Sequence, residues 1–420
     1  MFVSRKASRS RTAKRVTRRP KVQVKLNASE TNRSTLLYFV ALGLVSTIVS
    51  PLLSESIQGG APLPGLTLVQ TNLFEAGQKK FLEVQDVTHG LGPAYNATSC
   101  SACHNQPVIG GVGNTTVIRA GVVNNGRYEA PPGGDIVHLF SIADHACQPH
   151  IPGNANNLAH RIPTSLFGAG LIEAIPDSVI RNWEDPMDQN GDGIRGRAAL
   201  VMDPATHTMR VGRFGWKAQQ ATLLAFAAEA FRNEIGITND VFPNEVGTGL
   251  SGEQLAACDR VADPEDEPDP KNHLRGIDHL TNFMRFLAPV TPLPQTSSSH
   301  YGSELFSRIG CASCHVPALP TGPNVIPALD HKIVNAYSDF LLHDVGTGDG
   351  VEQGAAMGGE FRTSPLWGLR FRKQLLHDGS ALSPADAIKQ HRTEGERSRQ
   401  NFDRLAAPER QALLDFLSSL

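Results

Sequence analysis

Along the chain the first abrupt change of pattern lies near the start. Residues 36–53, LLYFVALGLVSTIVSPLL, form an apolar run without a single charge. Ten Lys and Arg fall between residues 5 and 25, with no acid among them. About 18 apolar residues are just enough to cross the hydrocarbon of a bilayer. A basic arm followed by such a run predicts an export signal or an uncleaved anchor helix, with the basic end inside. After it, residues 62–65 read as a linker and residues 73–84 as a helix. GSELFSRIG predicts a short helix in the second half. PERQALLDFLSSL closes the chain as an amphipathic helix with Leu413, Leu414, Leu417 and Leu420 on one face. DPEDEPDPKN, residues 263–272, is acidic and proline-rich, which marks an exposed boundary. The expected organisation is therefore a basic arm (1–35), a signal or transmembrane segment (36–53), an N-terminal domain (68–260) and a C-terminal domain (273–420). The expected fold class is mainly α, two modules with long loops behind an N-terminal signal or anchor helix.

Composition adjusts this picture in two places. A chain of 420 residues exceeds the size of one core, and 39 Gly with 28 Pro imply many turns. The formal charge of -2 hides the basic arm, without which 29 basic residues face 41 acidic ones. A basic arm alone suits nucleic acid. Running into an apolar segment, it points to the membrane and to no nucleic acid, and places the globular part outside the cytoplasm, in a bacterium the periplasm.

Four of the six cysteines fall in one five-residue pattern used twice, CSACH at 100–104 and CASCH at 311–315. Two thiols three positions apart match the two vinyl groups on one porphyrin edge, and the His that follows is placed to bind the iron. C-x-x-C-H is the attachment signal for c-type haem. Cys100, Cys103, Cys311 and Cys314 are thus expected in thioethers, with His104 and His315 as iron ligands and two covalent haem c groups as cofactors. The alternatives are redox dithiols, or one four-cysteine zinc site, and neither accounts for the His after both pairs. The remaining Cys147 and Cys258 are either a disulfide or two buried thiols.

RIPTSLFGAGLIEAIPD, from Arg161, is loosely echoed by RTSPLWGLRFRKQLLHDG, from Arg362, each after its own CxxCH. This suggests two related cytochrome-like halves. GLGPAYNATSCSACHNQPVIGGVG, GRFGWKAQQATLLAFAAEAF, YSDFLLHDVGTG and EFRTSPLWGLRFRKQLLHDGSALSPADAIKQHRTEGE together resemble the di-haem oxidoreductase family, also called thiol oxidoreductase-like, a relative of the bacterial di-haem cytochrome c peroxidases. The resemblance runs from about residue 70 to the end. It implies a peroxide-reacting N-terminal haem and a six-coordinate C-terminal haem that relays electrons. It also implies that the relay's distal ligand stands fourteen residues beyond the His of a His-Asp-Gly motif. That motif is His377, Asp378, Gly379 here, and fourteen residues on stands His391 where relatives carry Met or Tyr. His391 is the expected partner of His315, with Met357, His331 and His343 as competitors and His377 close by. His in place of Met lowers a haem potential.

Peroxide chemistry needs a proton donor at the first haem. Glu173, in an apolar stretch that would raise its pKa, is the candidate, with a surface carboxylate as the plainer reading. Trp216 is a candidate stepping stone between haems, or simply a core residue. His138, His145, His150 and His160 are the residues available to close the first haem's distal face. DQNGDG, residues 188–193, spaces oxygen ligands as a calcium loop begins, which makes calcium a candidate ion beside a solvated Asn-Gly turn. Ala199 at the twelfth position excludes an EF-hand. The expected function is a peroxidase-like exported oxidoreductase taking electrons from a small redox protein and passing them to peroxide or another small oxidant. A non-enzymatic di-haem carrier and a di-haem oxidase of another substrate are the alternatives.

Overall fold

The computed structural model describes residues 59–142, 147–258 and 267–420. The basic arm and the apolar run 36–53 lie outside these residues, as does His145. Among the described residues no helix is long and apolar enough to cross a membrane.

Eleven α-helices occur among the described residues: α1 (Leu68–Leu82), α2 (Cys100–Cys103), α3 (Ala169–Glu173), α4 (Asp177–Arg181), α5 (Leu223–Ala230), α6 (Gly252–Cys258), α7 (Gly276–Phe286), α8 (Ser297–Arg308), α9 (Pro384–Gln390), α10 (Glu396–Arg404) and α11 (Ala407–Ser419). Their starts are written in local chemistry. Thr67 and Gln70 exchange side-chain and backbone hydrogen bonds in a capping box that fixes the first turn of α1. Ser383 caps α9 just before Pro384, whose missing N–H costs nothing at that position.

In each half a long helix entering a CxxCH motif crosses a helix that closes the half, and each crossing is made at a glycine. α1 meets α7 at Gly77, where a Cβ would lie 2.3 Å from the His279 carbonyl oxygen. α8 meets α11 at Gly302, where a Cβ would lie 2.0 Å from the Ala412 carbonyl oxygen. Only a residue without a Cβ permits backbones this close. The amphipathic end of the chain buries Leu413, Phe416 and Leu417 against Leu305, Phe306 and Ile309 of the incoming helix. α7 lies beyond the acidic stretch expected as a boundary, yet it packs on α1. The N-terminal half therefore needs residues past 273 to close.

The mainly α expectation is corrected: among the described residues helix accounts for 33% and strand for 14%. Strand enters where β-branched residues cluster. Val117–Asn124, reading VIRAGVVN, is the centre of an antiparallel sheet with Arg127–Glu129, Ile136–Val137 and Asn157–Arg161. A four-residue hairpin pairs Leu200–Asp203 with Thr208–Val211, and elsewhere two-residue pairs join loops rich in Gly and Pro. Cys147 and Cys258 form a disulfide, with Cα atoms 5.7 Å apart across 111 residues of sequence. It ties α6 to the loop that follows the sheet's first strands.

Candidate functional site

The helix α8 ends at Arg308, capped by Ile309. Gly310 then turns the chain with φ 97°, where an L side chain would be strained, and delivers the second CxxCH. Cys311, Cys314 and His315 line one large cavity, with about 1570 Å³ of free space including its open mouth. His391, at the C-terminal end of α9, lines the same cavity. His315 Nδ1 lies 3.0 Å from the Tyr337 carbonyl oxygen, and His391 Nδ1 lies 2.8 Å from that of Ala387. A carbonyl only accepts, so both Nδ1 atoms carry the proton and both Nε2 atoms keep a free lone pair. Burial pushes the pKa of His315 down to about 4, and the nearby His391 adds to the effect. Burial lowers His391 too. Both rings are therefore neutral at pH 7, the form that ligates a metal.

The competitors are placed otherwise. His331 and Met357 are exposed and line no part of this cavity. His343 does line it, but its two ring nitrogens lie 2.9 Å from Asp339 and 2.7 Å from Glu394. Burial opposes its charge, yet the bonds to Asp339, Cys314 and Glu394 win and hold its pKa well above the ordinary value. A cationic imidazole with both nitrogens engaged ligates nothing. His377 is buried, stacked on Phe361 at 4.1 Å between centroids, and faces the edge of Trp216.

At the first motif, His104 is wrapped by residues 105–113, where Gly111 and Gly113 pass so close to Gln106 and Cys103 that a Cβ would clash with their carbonyls. His104 Nδ1 lies 3.0 Å from the Gly111 carbonyl oxygen. The proton again sits on Nδ1, as at the second motif. The Thr164 carbonyl also interacts with the buried His104 ring. Thr164 lines the large cavity, so residues 162–165 lie between the two motifs.

All four motif cysteines are free thiols. Burial pushes Cys100 and Cys311 up to about 12, opposite to the lowered pKa of a redox dithiol. No group of four cysteines gathers among the described residues, where the one possible metal cluster is Cys314, Asp339 and His343. The donor set thus fits neither a dithiol pair nor a four-cysteine zinc site. It fits haem: two thiols and a neutral imidazole at each motif, and a roomy cavity at the second.

Comparison with known families decides the matter: the family described as "Di-haem oxidoreductase, putative peroxidase" matches residues 141–420. The chain belongs to this di-haem oxidoreductase family. It is an oxidoreductase of the di-haem peroxidase class, and its cofactors are haems. No curated protein matches it. Among solved structures it is similar to Kuenenia stuttgartiensis hydrazine synthase, at 16% identity over 96% of this chain and 100% of the other, with a TM-score of 0.39. It is also similar to the di-haem peroxidase BthA of Burkholderia thailandensis, at 13% identity over 83% and 86%, TM-score 0.39. A MauG-like protein associated with microbial copper homeostasis is 16% identical over 65% and 92%, TM-score 0.30. Likeness this distant carries no argument about function.

In this di-haem oxidoreductase Trp216 is part of the large cavity's wall, and its Nε1 donates to the Ile162 carbonyl at 2.8 Å. Glu173 ends α3 in a polar setting rather than an apolar one. Its Oε2 pairs with Arg285 Nε at 3.0 Å and its Oε1 accepts from the Leu223 N–H at 2.8 Å, holding the start of α5. Of the N-terminal histidines, His138 is buried with Nε2 2.8 Å from the Asn233 carbonyl, while His150 and His160 are exposed. The carboxylates of the 188–193 loop accept from the loop's own backbone N–H groups: Asp188 from Gly193, and Asp192 from Ile194.

One carboxyl escaped the sequence. Glu234 lies on a single π-helical turn, Phe231–Ile235, close enough to Cys103 to raise its pKa, and bonds Asn96 at 2.8 Å. Burial raises its own pKa. Single π turns often mark functional positions, but FRNEI carries no signature of one.

Proposed function

We propose that this di-haem oxidoreductase reduces peroxide at a haem bound through Cys100, Cys103 and His104. Cys311, Cys314, His315 and His391 would hold a second haem, which would supply the electrons. Both groups are attached as c-type haem: each thiol adds across a vinyl, its sulfur forming the C–S bond and its hydrogen going to the neighbouring carbon. The haem irons supply the one-electron redox chemistry when bound. One peroxide takes up two electrons and two protons and leaves as two waters.

The observation that carries the reading is the pair His315 and His391 on one cavity, each with Nδ1 tied to a backbone carbonyl and Nε2 free. Fixed tautomers orient two imidazoles with little entropy left to lose on binding metal. A bis-histidine site has a low potential, which suits a strongly reducing small redox protein as donor. Trp216 lines the large cavity and bonds Ile162, next to the segment whose Thr164 reaches His104, and the proposed electron passage through Trp216 rests on that contact. Glu173 is the proposed proton donor, with Glu234, whose pKa burial raises and which acts on Cys103 of the first motif, as the second carboxyl. The Cys147–Cys258 disulfide supports an exported protein in an oxidising compartment. Calcium has no step in this reading.

Electron paramagnetic resonance of the haem-loaded protein, oxidised and half-reduced, tests it. The expected result is a low-spin bis-histidine signal that His391→Ala abolishes, beside a signal that peroxide removes. Two low-spin signals indifferent to peroxide in both redox states would overturn the peroxidase and leave an electron carrier.

A further inference from the structure

The large cavity adjoins a smaller one of about 440 Å³, and the two share Thr164, Ser165, Arg362, Ser364 and Arg372 in their walls. Two of those five are arginines, and neither has a carboxylate in ion-pair contact. Arg362 is buried and donates only to carbonyls, Nε to Gly215 at 3.0 Å and one terminal nitrogen to Thr363 at 3.0 Å. Arg372 donates one terminal nitrogen to the Trp367 carbonyl at 3.0 Å. Asp339 acts on Arg362 only at longer range and is already bonded to His343.

The two guanidiniums are also near enough to repel each other. Burial, and for Arg362 then the charge of Arg372, bring both down to about 10. The other buried arginines among the described residues are paired: Arg161 with Asp349, and Arg213 with Asp177. Two guanidiniums side by side without a carboxylate partner, Arg362 buried and Arg372 half-buried, are costly unless an anion joins them. Both offer forked N–H donors, the geometry that binds carboxylate bidentately.

We propose that Arg362 and Arg372 form the receptor for the two propionate carboxylates of the haem in the large cavity, and so fix its orientation and its potential. The proposal rests on the reading of that cavity as a haem site. Two negative charges meet two positive ones, and the desolvation that each cation already carries is offset by its partner. Neutralised propionates also leave the iron's charge less shielded by nearby anions, so the arginines raise the potential that the bis-histidine ligation lowers.

The test uses the full, haem-loaded protein with Arg362→Gln, Arg372→Gln and the matching Lys variants. Two haems per chain and the bis-histidine signal identify correctly loaded protein. Spectroelectrochemical titration should show each Gln variant shifted about tenfold toward the ferric form, 59 mV for a one-electron couple. Each should also acquire a pH dependence below neutral that the wild type lacks, and the Lys variants should recover most of both. A potential unmoved and equally flat with pH in both Gln variants would overturn the proposal. Infrared spectra of the wild type along an acid titration serve if the variants fail to load. Propionates held ionised below the range of free carboxylic acids support the arginine receptor, and propionates titrating as free acids overturn it. Absence of the bis-histidine signal with propionates still held ionised overturns only the relay.

Discussion

A methyl group at either glycine crossing is the sharpest test of how the two halves close. At Gly302 it would lie 2.0 Å from the Ala412 carbonyl oxygen and 2.7 Å from Phe416 Cβ. The obstacle at 2.0 Å is backbone, so a rotamer change cannot relieve it and α8 and α11 must separate. Overpacking of this kind costs about 1–3 kcal/mol, and the upper end applies when backbone has to move. Alanine returns about 1 kcal/mol of helix propensity over glycine. Gly302→Ala should therefore lose about 2 kcal/mol net, and Gly77→Ala, 2.3 Å from the His279 oxygen, a similar amount. Gly252, at the start of α6 with nothing within 4 Å of its Cβ, is the control, and Gly252→Ala should be neutral or up to about 1 kcal/mol more stable. Urea midpoints followed by far-ultraviolet circular dichroism read all three, with an unchanged slope as the sign that only stability moved. Equal midpoints for Gly302→Ala and Gly252→Ala would refute the close crossing.

Glu173→Gln breaks the contact with Arg285 and weakens the proton donor. Stopped-flow mixing with peroxide should show that step slowed by about 10²–10⁴-fold if Glu173 moves the proton. If Glu234→Gln slows it and Glu173→Gln does not, the role passes to Glu234. Replacing Cys147 and Cys258 by Ser together should lower stability by about 2–4 kcal/mol in denaturant titration. His343, its folded pKa raised by Asp339 and Glu394, contributes stability that is fully present below the unfolded value of about 6.5 and fades as pH rises through the folded one. The stability gap between wild type and His343→Gln should accordingly shrink at alkaline pH, and a gap constant from about pH 6 to 10 would refute the cationic assignment.

What the sequence made legible was local. CxxCH is a contiguous pattern with one main chemical use, and the amphipathic end of the chain announces its buried face. His391 was reachable through its distance from His377, a relation that family resemblance supplied and hydrophobic periodicity does not. The strand Val117–Asn124 was missed because VIRAGVVN, with Ala120 and Gly121 in the middle, alternates weakly. The setting of Glu173 was hidden because LIEAI is apolar in sequence, while Arg285 reaches it from 112 residues away. Arg362 and Arg372, His343 between its two acids, and Glu234 on its π turn owe their character to partners, or the lack of them, that are distant along the chain. No single-sequence pattern carries that information.

The Cys147–Cys258 bridge also constrains the order in which this protein is made. Six cysteines allow 15 complete pairings, and only one of the bonds found in them, 147 to 258, belongs in the finished molecule. Before folding, nothing shelters the other four, and an oxidant able to close the 147–258 loop can as easily join Cys100 to Cys103. A thiol already spent on a vinyl is beyond that oxidant's reach. Under the proposed c-type attachment, assembly therefore favours a sequence in which the motif thiols are kept reduced and capped by thioethers first, and the long loop is locked last.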